Sequence, residues 1–191
     1  MKLRLANVND AKYILKIYEP YIKNTAITFE YEVPTLEEFE NRIKSISKTY
    51  PYIVCIDDNN NIVGYAYASK YKERAAFNWD VELSIYIDSM YHNKNISHAL
   101  YSSLLEILKI QGVYNAYASI VVPNVKSEKF HKKYGFKQVG YYPKTGYKFK
   151  KWHDLICLEK NIIDFNIEPT PIRPITSIED RIIENIFSKY I

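Results

Sequence analysis

Apolar positions recur along this chain in two rhythms, every second residue and every third or fourth, and the changes of rhythm mark out its elements. Leu3 to Leu5 read as a short strand, and Asn9 or Asp10 as the cap of a helix that buries Ile14, Leu15, Ile17 and Tyr18 until Pro20 interrupts it. NTAITFEYE (24–32) is extended and turn-like. After Pro34, Thr35 with Glu38 three residues later forms a capping box for a second helix, with Leu36, Phe39, Ile43 and Ile46 at helical spacing. PYIVCIDDNNNIVGYAYASKY reads as a hairpin of two strands around an Asp/Asn turn, and WDVELSIYI (79–87) as the next strand. ISHALYSSLLEILKI (96–110) is a helix with Ile96, Ala99, Leu100, Leu104, Ile107 and Leu108 on one stripe and Gly112 as its stop. YNAYASIVV (114–122) is a strand and NVKSEKFHKKYG (124–135) a short helix ended by glycine. Phe136 to Tyr141 and Lys148 to Leu158 close the pattern as two strands around a turn at Pro143 to Gly146.

Residues 162–191 change in character. PTPIRPIT is proline-rich, and Thr176 with Glu179 forms a second capping box before an amphipathic helix with Ile183, Ile186, Phe187 and Tyr190 on one side. The expected division is a domain over 1–161 and a C-terminal arm over 162–191 that docks on the body or on a partner subunit. The element order, a hairpin followed by a β-α-β-α half, implies an α+β fold: one mixed sheet with helices on both faces.

Composition narrows the classes. A chain of 191 residues, 47% hydrophobic and 25% charged, can build one sizeable core. Its net charge of +4 is spread among carboxylates, whereas a nucleic-acid binder would need a focused basic face. Cys55 and Cys157 fall inside apolar strand runs with no metal or redox spacing, which reads as buried thiols of a reducing compartment. No apolar run approaches the length needed to span a bilayer, so the expected location is the cytoplasm.

The candidate chemistry lies in the second half. YHNKNISHAL (91–100) joins a strand to a helix, a junction whose free N–H groups and dipole attract phosphate, yet it contains no glycine. Asn is the non-glycine residue most at ease in the left-handed region, and Ser is small and favours helix starts. IYIDSMYHNKNISHALYSSLLEI followed by NVKSEKFHKKYGF resembles the GNAT superfamily of acetyl-coenzyme A-dependent N-acetyltransferases, in its strand, pyrophosphate loop and helix and in its Asn to Gly-Phe segment. NTAITFEYE, PYIVCIDD, YKERAAFNWDVELSIYI and GYKFKKWHDL are similar to the phosphinothricin and methionine-sulfone acetyltransferase branch, and together the matches cover residues 3–160.

That resemblance implies a central, mostly antiparallel mixed sheet with splayed central strands, a homodimer, acetyl-CoA as co-substrate and no metal. It places the diphosphate on His92, Asn93, Lys94, Asn95, Ile96 and Ser97, where the family pattern has Arg or Gln, Gly, and Gly or Ala at the positions of His92, Asn95 and Ser97. The pantetheine is expected on the backbone of Ile85, Tyr86 and Ile87, with Asn124 and Ser127 also at the coenzyme. Glu82, which shares a strand face with Ser84 and Tyr86, matches the glutamate assigned as general base, and His131 matches a branch histidine able to protonate the departing thiolate or share the base role. Lys72, Arg74 and Phe29 are placed at the acceptor, with Arg74 suited to grip a carboxylate or phosphinate and Phe29 forming an apolar wall. Tyr147 is placed near the acceptor of its own subunit or of the partner, and His153 and Asp154 are read as structural.

The acceptor implied is the amine of a small amino acid or analogue such as phosphinothricin, methionine sulfoximine or methionine sulfone, the alternatives being a peptide amine or a polyamine. A rival reading is a non-catalytic relative whose coenzyme loop degenerated as its glycines were lost.

Overall fold

The computed structural model describes residues 1–92, 95–165 and 168–191. Its centre is a seven-stranded sheet in the order β1-β2-β3-β4-β5-β7-β6. The strands are β1 (Lys2–Leu5), β2 (Tyr52–Ile56), β3 (Ile62–Lys70), β4 (Asp80–Ile87), β5 (Asn115–Val122), β6 (Lys137–Lys148) and β7 (Lys151–Asn161). Every neighbouring pair is antiparallel except β4 with β5. The helices are α1 (Ala11–Asn24), α2 (Leu36–Ile46), α3 (Ile96–Gln111), α4 (Val125–Lys133) and α5 (Asp180–Ser188).

Strand alternation sends successive side chains of the sheet into two cores. Ile14, Ile17 and Ile22 of α1 and Phe39 and Ile43 of α2 pack with Tyr52, Val54 and Tyr65 on one face. Leu100, Leu104 and Ile107 of α3 pack with Ile53, Ala66, Val81 and Ala116 on the other. The same alternation gives β4 its split character, with Val81, Leu83 and Ile87 on the α3 side and Tyr86 against the α1 cluster.

Four local expectations are corrected by tertiary contacts. Helix α1 runs through Pro20 to Asn24. Proline removes the hydrogen bond to the Lys16 carbonyl, but Lys16 and Pro20 lie on the exposed face while Ile14, Ile17, Tyr18 and Ile22 hold the other side in the core. At its start Asp10, not Asn9, stands at the N-cap position, but its side chain makes no capping bond to α1: the Asp10 carboxylate accepts from the Asn7 N–H and from both guanidinium nitrogens of Arg4, the latter at 2.6 and 2.7 Å. Those bonds hold Asp10 below the ordinary carboxylate range against the opposing effect of burial. In the last hairpin the turn falls at Phe149 and Lys150, both left-handed (φ 53 and 58°), and Pro143 to Gly146 is a bulge inside β6, with Asp154 accepting from the Lys144 N–H at 2.8 Å. The Thr176 and Glu179 box does not form, because Ile175 and Ile178 are pulled into the core and α5 starts beyond Glu179 with no side-chain cap.

The box at Thr35 and Glu38 is complete, and Gly112 ends α3 in the left-handed region at φ 86°. The arm lies on its own chain: Ile183, Ile186 and Phe187 of α5 join the α3-side core. Its approach is pinned by Gln111, whose amide donates to the carbonyls of Thr49 and Arg173 at 2.7 Å each, and by Trp79, which donates to the Thr170 carbonyl. Cys55 and Cys157 are buried free thiols, and burial pushes Cys55 up to about 11. No helix among the described residues is long and apolar enough to cross a membrane.

Candidate active site

The site begins where two strands part. β4 and β5 are paired from Asp80 with Asn115 to Glu82 with Tyr117, and no further. Beyond that point β4 stays paired with β3 as far as Ile87 and β5 stays paired with β7, so the two strands part from each other and leave a gap lined by Leu83, Ser84, Ile85 and Tyr86 on one side and Ala118 to Val121 on the other. Asp88 donates its N–H to the Val63 carbonyl, so the ladder with β3 uses alternate residues and turns the backbone groups of Ile85 and Ile87 towards the gap. The Ile87 carbonyl also accepts the Tyr21 hydroxyl at 2.6 Å.

The gap continues into a cleft of about 580 Å³ between the start of α3 and the side of α4. Its lining includes Ile85, Ile87, His92, Ile96, Ser97, Asn124, Ser127 and His131. Asn95, at the N-terminus of α3, adopts φ 57° and ψ 4°, the left-handed region usually reserved for glycine. Its side chain makes no capping hydrogen bond, and the first bond of the helix runs from the Ala99 N–H to the Asn95 carbonyl at 3.0 Å. The N–H groups of the first turn therefore point outward from a helix start that lacks a side-chain cap, a fitting cradle for a diphosphate. Ahead of it Tyr91 donates to Asp57 at 2.7 Å and Asp88 accepts from the Met90 N–H, which ties the loop to the hairpin of β2 and β3. His92 lies with Nε2 3.3 Å from both the Tyr21 hydroxyl and the Ile87 carbonyl. The Ile96 side chain is buried, so that residue offers the cleft chiefly its backbone. Asn93 and Lys94 lie outside the described residues.

Glu82 sits at the last position of β4 that pairs with β5, and the Ser119 hydroxyl donates to its Oε1 at 2.6 Å from the facing wall of the gap. Ser119 has no signature in the sequence; only the register of two distant strands reveals it. Tyr71 and Tyr117 form a second missed feature, their rings stacked 4.0 Å apart beside this position, and burial pushes the Tyr71 phenol up to about 12.

His131 lies in both linings and is 4% exposed. Rings of Tyr101, Phe130 and Phe136 surround it at 5.2 to 5.5 Å. Its Nδ1 is 2.8 Å from the Ser127 carbonyl, which can only accept, so Nδ1 carries the proton and Nε2 carries the lone pair. Burial lowers its pKa below the ordinary 6.5, only partly opposed by that hydrogen bond, and keeps the ring neutral. Asn124 caps α4 by accepting from the Ser127 N–H, so both residues position the histidine helix as well as facing the cleft.

The expected acceptor residues stand apart. None of Phe29, Lys72, Arg74 and Tyr147 lines the cleft or the gap. Lys72 and Arg74 are exposed on the connection into β4, with the Lys72 ammonium 4.8 Å from the ring centres of both Tyr71 and Phe77. Phe29 lies on Gly146, where an added Cβ would come within 2.2 Å of its ring. Tyr147 is exposed beside Trp152, and its carbonyl accepts the Tyr31 hydroxyl. Lys148 is buried at 3% exposure and donates to the Thr28 carbonyl at 2.8 Å, which fastens the 25–34 loop to the last hairpin. His153 and Asp154 serve that hairpin, through the Lys148 carbonyl and the Lys144 N–H.

Residues 3–157 match the family model described as the acetyltransferase (GNAT) domain. The chain belongs to the GNAT acetyltransferase family. Within that family it is 28% identical over 178 residues to a phosphinothricin N-acetyltransferase of Streptomyces viridochromogenes, covering 93% of this chain and 96% of that one. It is 30% identical over 176 residues to an L-methionine sulfoximine/L-methionine sulfone acetyltransferase of Pseudomonas aeruginosa, covering 90% and 98%. A crystal structure of a GNAT superfamily phosphinothricin acetyltransferase from Sinorhizobium meliloti in complex with AcCoA superposes with a TM-score of 0.85 at 31% identity, over 88% of this chain and 92% of that one. The α+β architecture read from the element order is thus the GNAT fold.

Proposed function

We propose that this acetyl-CoA-dependent N-acetyltransferase acts on the amine of a small amino acid or analogue of the phosphinothricin, methionine sulfoximine or methionine sulfone kind, as a cytoplasmic homodimer. The observation that carries the reading is the parting of β4 and β5 directly after Glu82, which puts a carboxylate at the head of a gap whose other end is a helix start built for phosphate. The relatives named for these acceptors span nearly the whole chain, and supply the acceptor class.

When bound, acetyl-CoA supplies an acetyl thioester and leaves as the thiol. The first-turn N–H groups behind Asn95 hold its diphosphate, and the backbone of Ile85 and Ile87 pairs with its pantetheine. Glu82 takes a proton from the acceptor's ammonium, since a protonated amine has no lone pair for attack. Ser119 holds one carboxylate oxygen and leaves the other for that proton. A β4 N–H polarises the thioester carbonyl. His131, with Nδ1–H committed to Ser127, uses the Nε2 lone pair to receive the proton shed by the attacking nitrogen and passes it to the departing sulfur. Arg74 grips the acceptor's carboxylate or phosphinate with Lys72 beside it, while Phe29 and Tyr147 wall the acceptor side. The exposed Tyr141, Tyr142 and Phe149 of the edge-strand hairpin, next to Tyr147 and Trp152, support pairing of two copies there.

The test is thiol release from acetyl-CoA by purified protein offered phosphinothricin, methionine sulfoximine and methionine sulfone, with a peptide amine and a polyamine in the same screen. Turnover with the first three is expected; inertness towards all five overturns the reading. Stabilisation against heat by acetyl-CoA separates it from the non-catalytic rival.

A further inference from the structure

The wall that α4 gives the cleft carries Lys126, Lys129 and Lys133. Spacings of three and four residues set these side chains along one face of the helix. All three are exposed, and none forms a salt bridge among the described residues. No Asp or Glu lines the cleft among the described residues. The acidic residue of α4, Glu128, is engaged elsewhere, accepting from the Asn124 N–H at 3.0 Å. Lys133 also stands close to the first turn of α3: after burial, its charge is the second cause that lowers the His98 pKa. Like charges three and four residues apart repel one another, and this stripe has no counter-charge of its own.

The diphosphate already has its cradle at the start of α3, so a neighbouring cationic stripe implies a second anionic group on the same ligand. Coenzyme A carries one, the 3′-phosphate of its ribose. We propose that Lys126, Lys129 and Lys133 bind that 3′-phosphate, so that the enzyme selects coenzyme A over 3′-dephospho-CoA. The inference rests on the acetyl-CoA reading and adds the residues that recognise the nucleotide end. It also accounts for a diphosphate loop that lacks glycine: charge on α4 supplements backbone contacts at α3.

Calorimetric titration of coenzyme A and of 3′-dephospho-CoA into the wild type and into a Lys129→Gln, Lys133→Gln double variant tests it. The wild type is expected to bind coenzyme A roughly tenfold more tightly than the dephospho form, about one charge-assisted contact's worth. The double variant should bind both alike, at the wild-type level for the dephospho form. Lys132→Gln, on the same helix but outside the lining, should keep the preference. Equal binding of both ligands by the wild type, or a preference that survives in the double variant, overturns the assignment while leaving the acetyl-CoA reading intact. Binding of neither ligand removes that reading and this one together.

Discussion

The Ser119 hydroxyl donates to Glu82 Oε1 at 2.6 Å across the point where β4 and β5 part. The bond fixes the direction of the carboxylate that the proposed mechanism brings to the acceptor amine. Replacing Glu82 by Gln is expected to lower kcat by on the order of a hundredfold or more, the usual contribution of a general base, without loss of acetyl-CoA binding. Ser119→Ala should lower kcat by about tenfold, with Ser119→Thr retaining most of it, since a hydrogen bond to a charged group contributes about 1.5 kcal/mol or more. Steady-state kinetics alongside acetyl-CoA titration checks both, and an unchanged kcat in Ser119→Ala would remove the positioning role.

A second expectation concerns pH. His131 is buried and its folded-state pKa lies below 6.5, so between those two values the unfolded chain binds a proton that the native state refuses. Stability from this group is therefore present in full above pH 6.5 and declines as pH falls from 6.5 towards the lowered value. Thermal melts across that window should fall more steeply for the wild type than for His131→Gln. Parallel curves for the two proteins would contradict the assignment of a neutral buried ring.

The left-handed Asn95 makes a prediction about the proposed diphosphate cradle at the start of α3. Asn95→Gly should preserve or tighten acetyl-CoA binding, while Asn95→Val should weaken it, because a β-branched residue is strained at φ 57° by roughly 1 to 2 kcal/mol. Titration of the two variants with acetyl-CoA decides, equal affinity being the adverse result.

Phe29 and Gly146 bring the 25–34 loop onto the last hairpin at closer range than any side chain on residue 146 would allow. Gly146→Ala should cost about 1 to 3 kcal/mol by overpacking and raise the acceptor KM more than the acetyl-CoA KM. Denaturant titration measures the first and two-substrate kinetics the second; a selective rise in the acetyl-CoA KM instead would place this contact on the wrong side of the site.

Much of the molecule was legible from local spacing. Capping at Thr35 with Glu38, the stop at Gly112, the hairpin of β2 and β3 and the left-handed tolerance of an asparagine before α3 all follow from interactions within a few residues. So does the shared face of Glu82 and Tyr86, since a strand alternates whatever its neighbours are.

Only the tertiary structure decided the rest. Whether Pro20 ends a helix depends on what the other face buries, and whether Thr176 and Glu179 cap one depends on the stronger demand of Ile175 and Ile178 for the core. The burial of Lys148 needs the Thr28 carbonyl, 120 residues away in sequence. Ser119 meets Glu82 because β4 and β5 pair in one particular register and then separate. Periodicity and caps are set along the chain, where neighbours are covalently close; register, burial and the meeting of distant side chains are set by how elements pack, and the proposed catalytic arrangement is made from those.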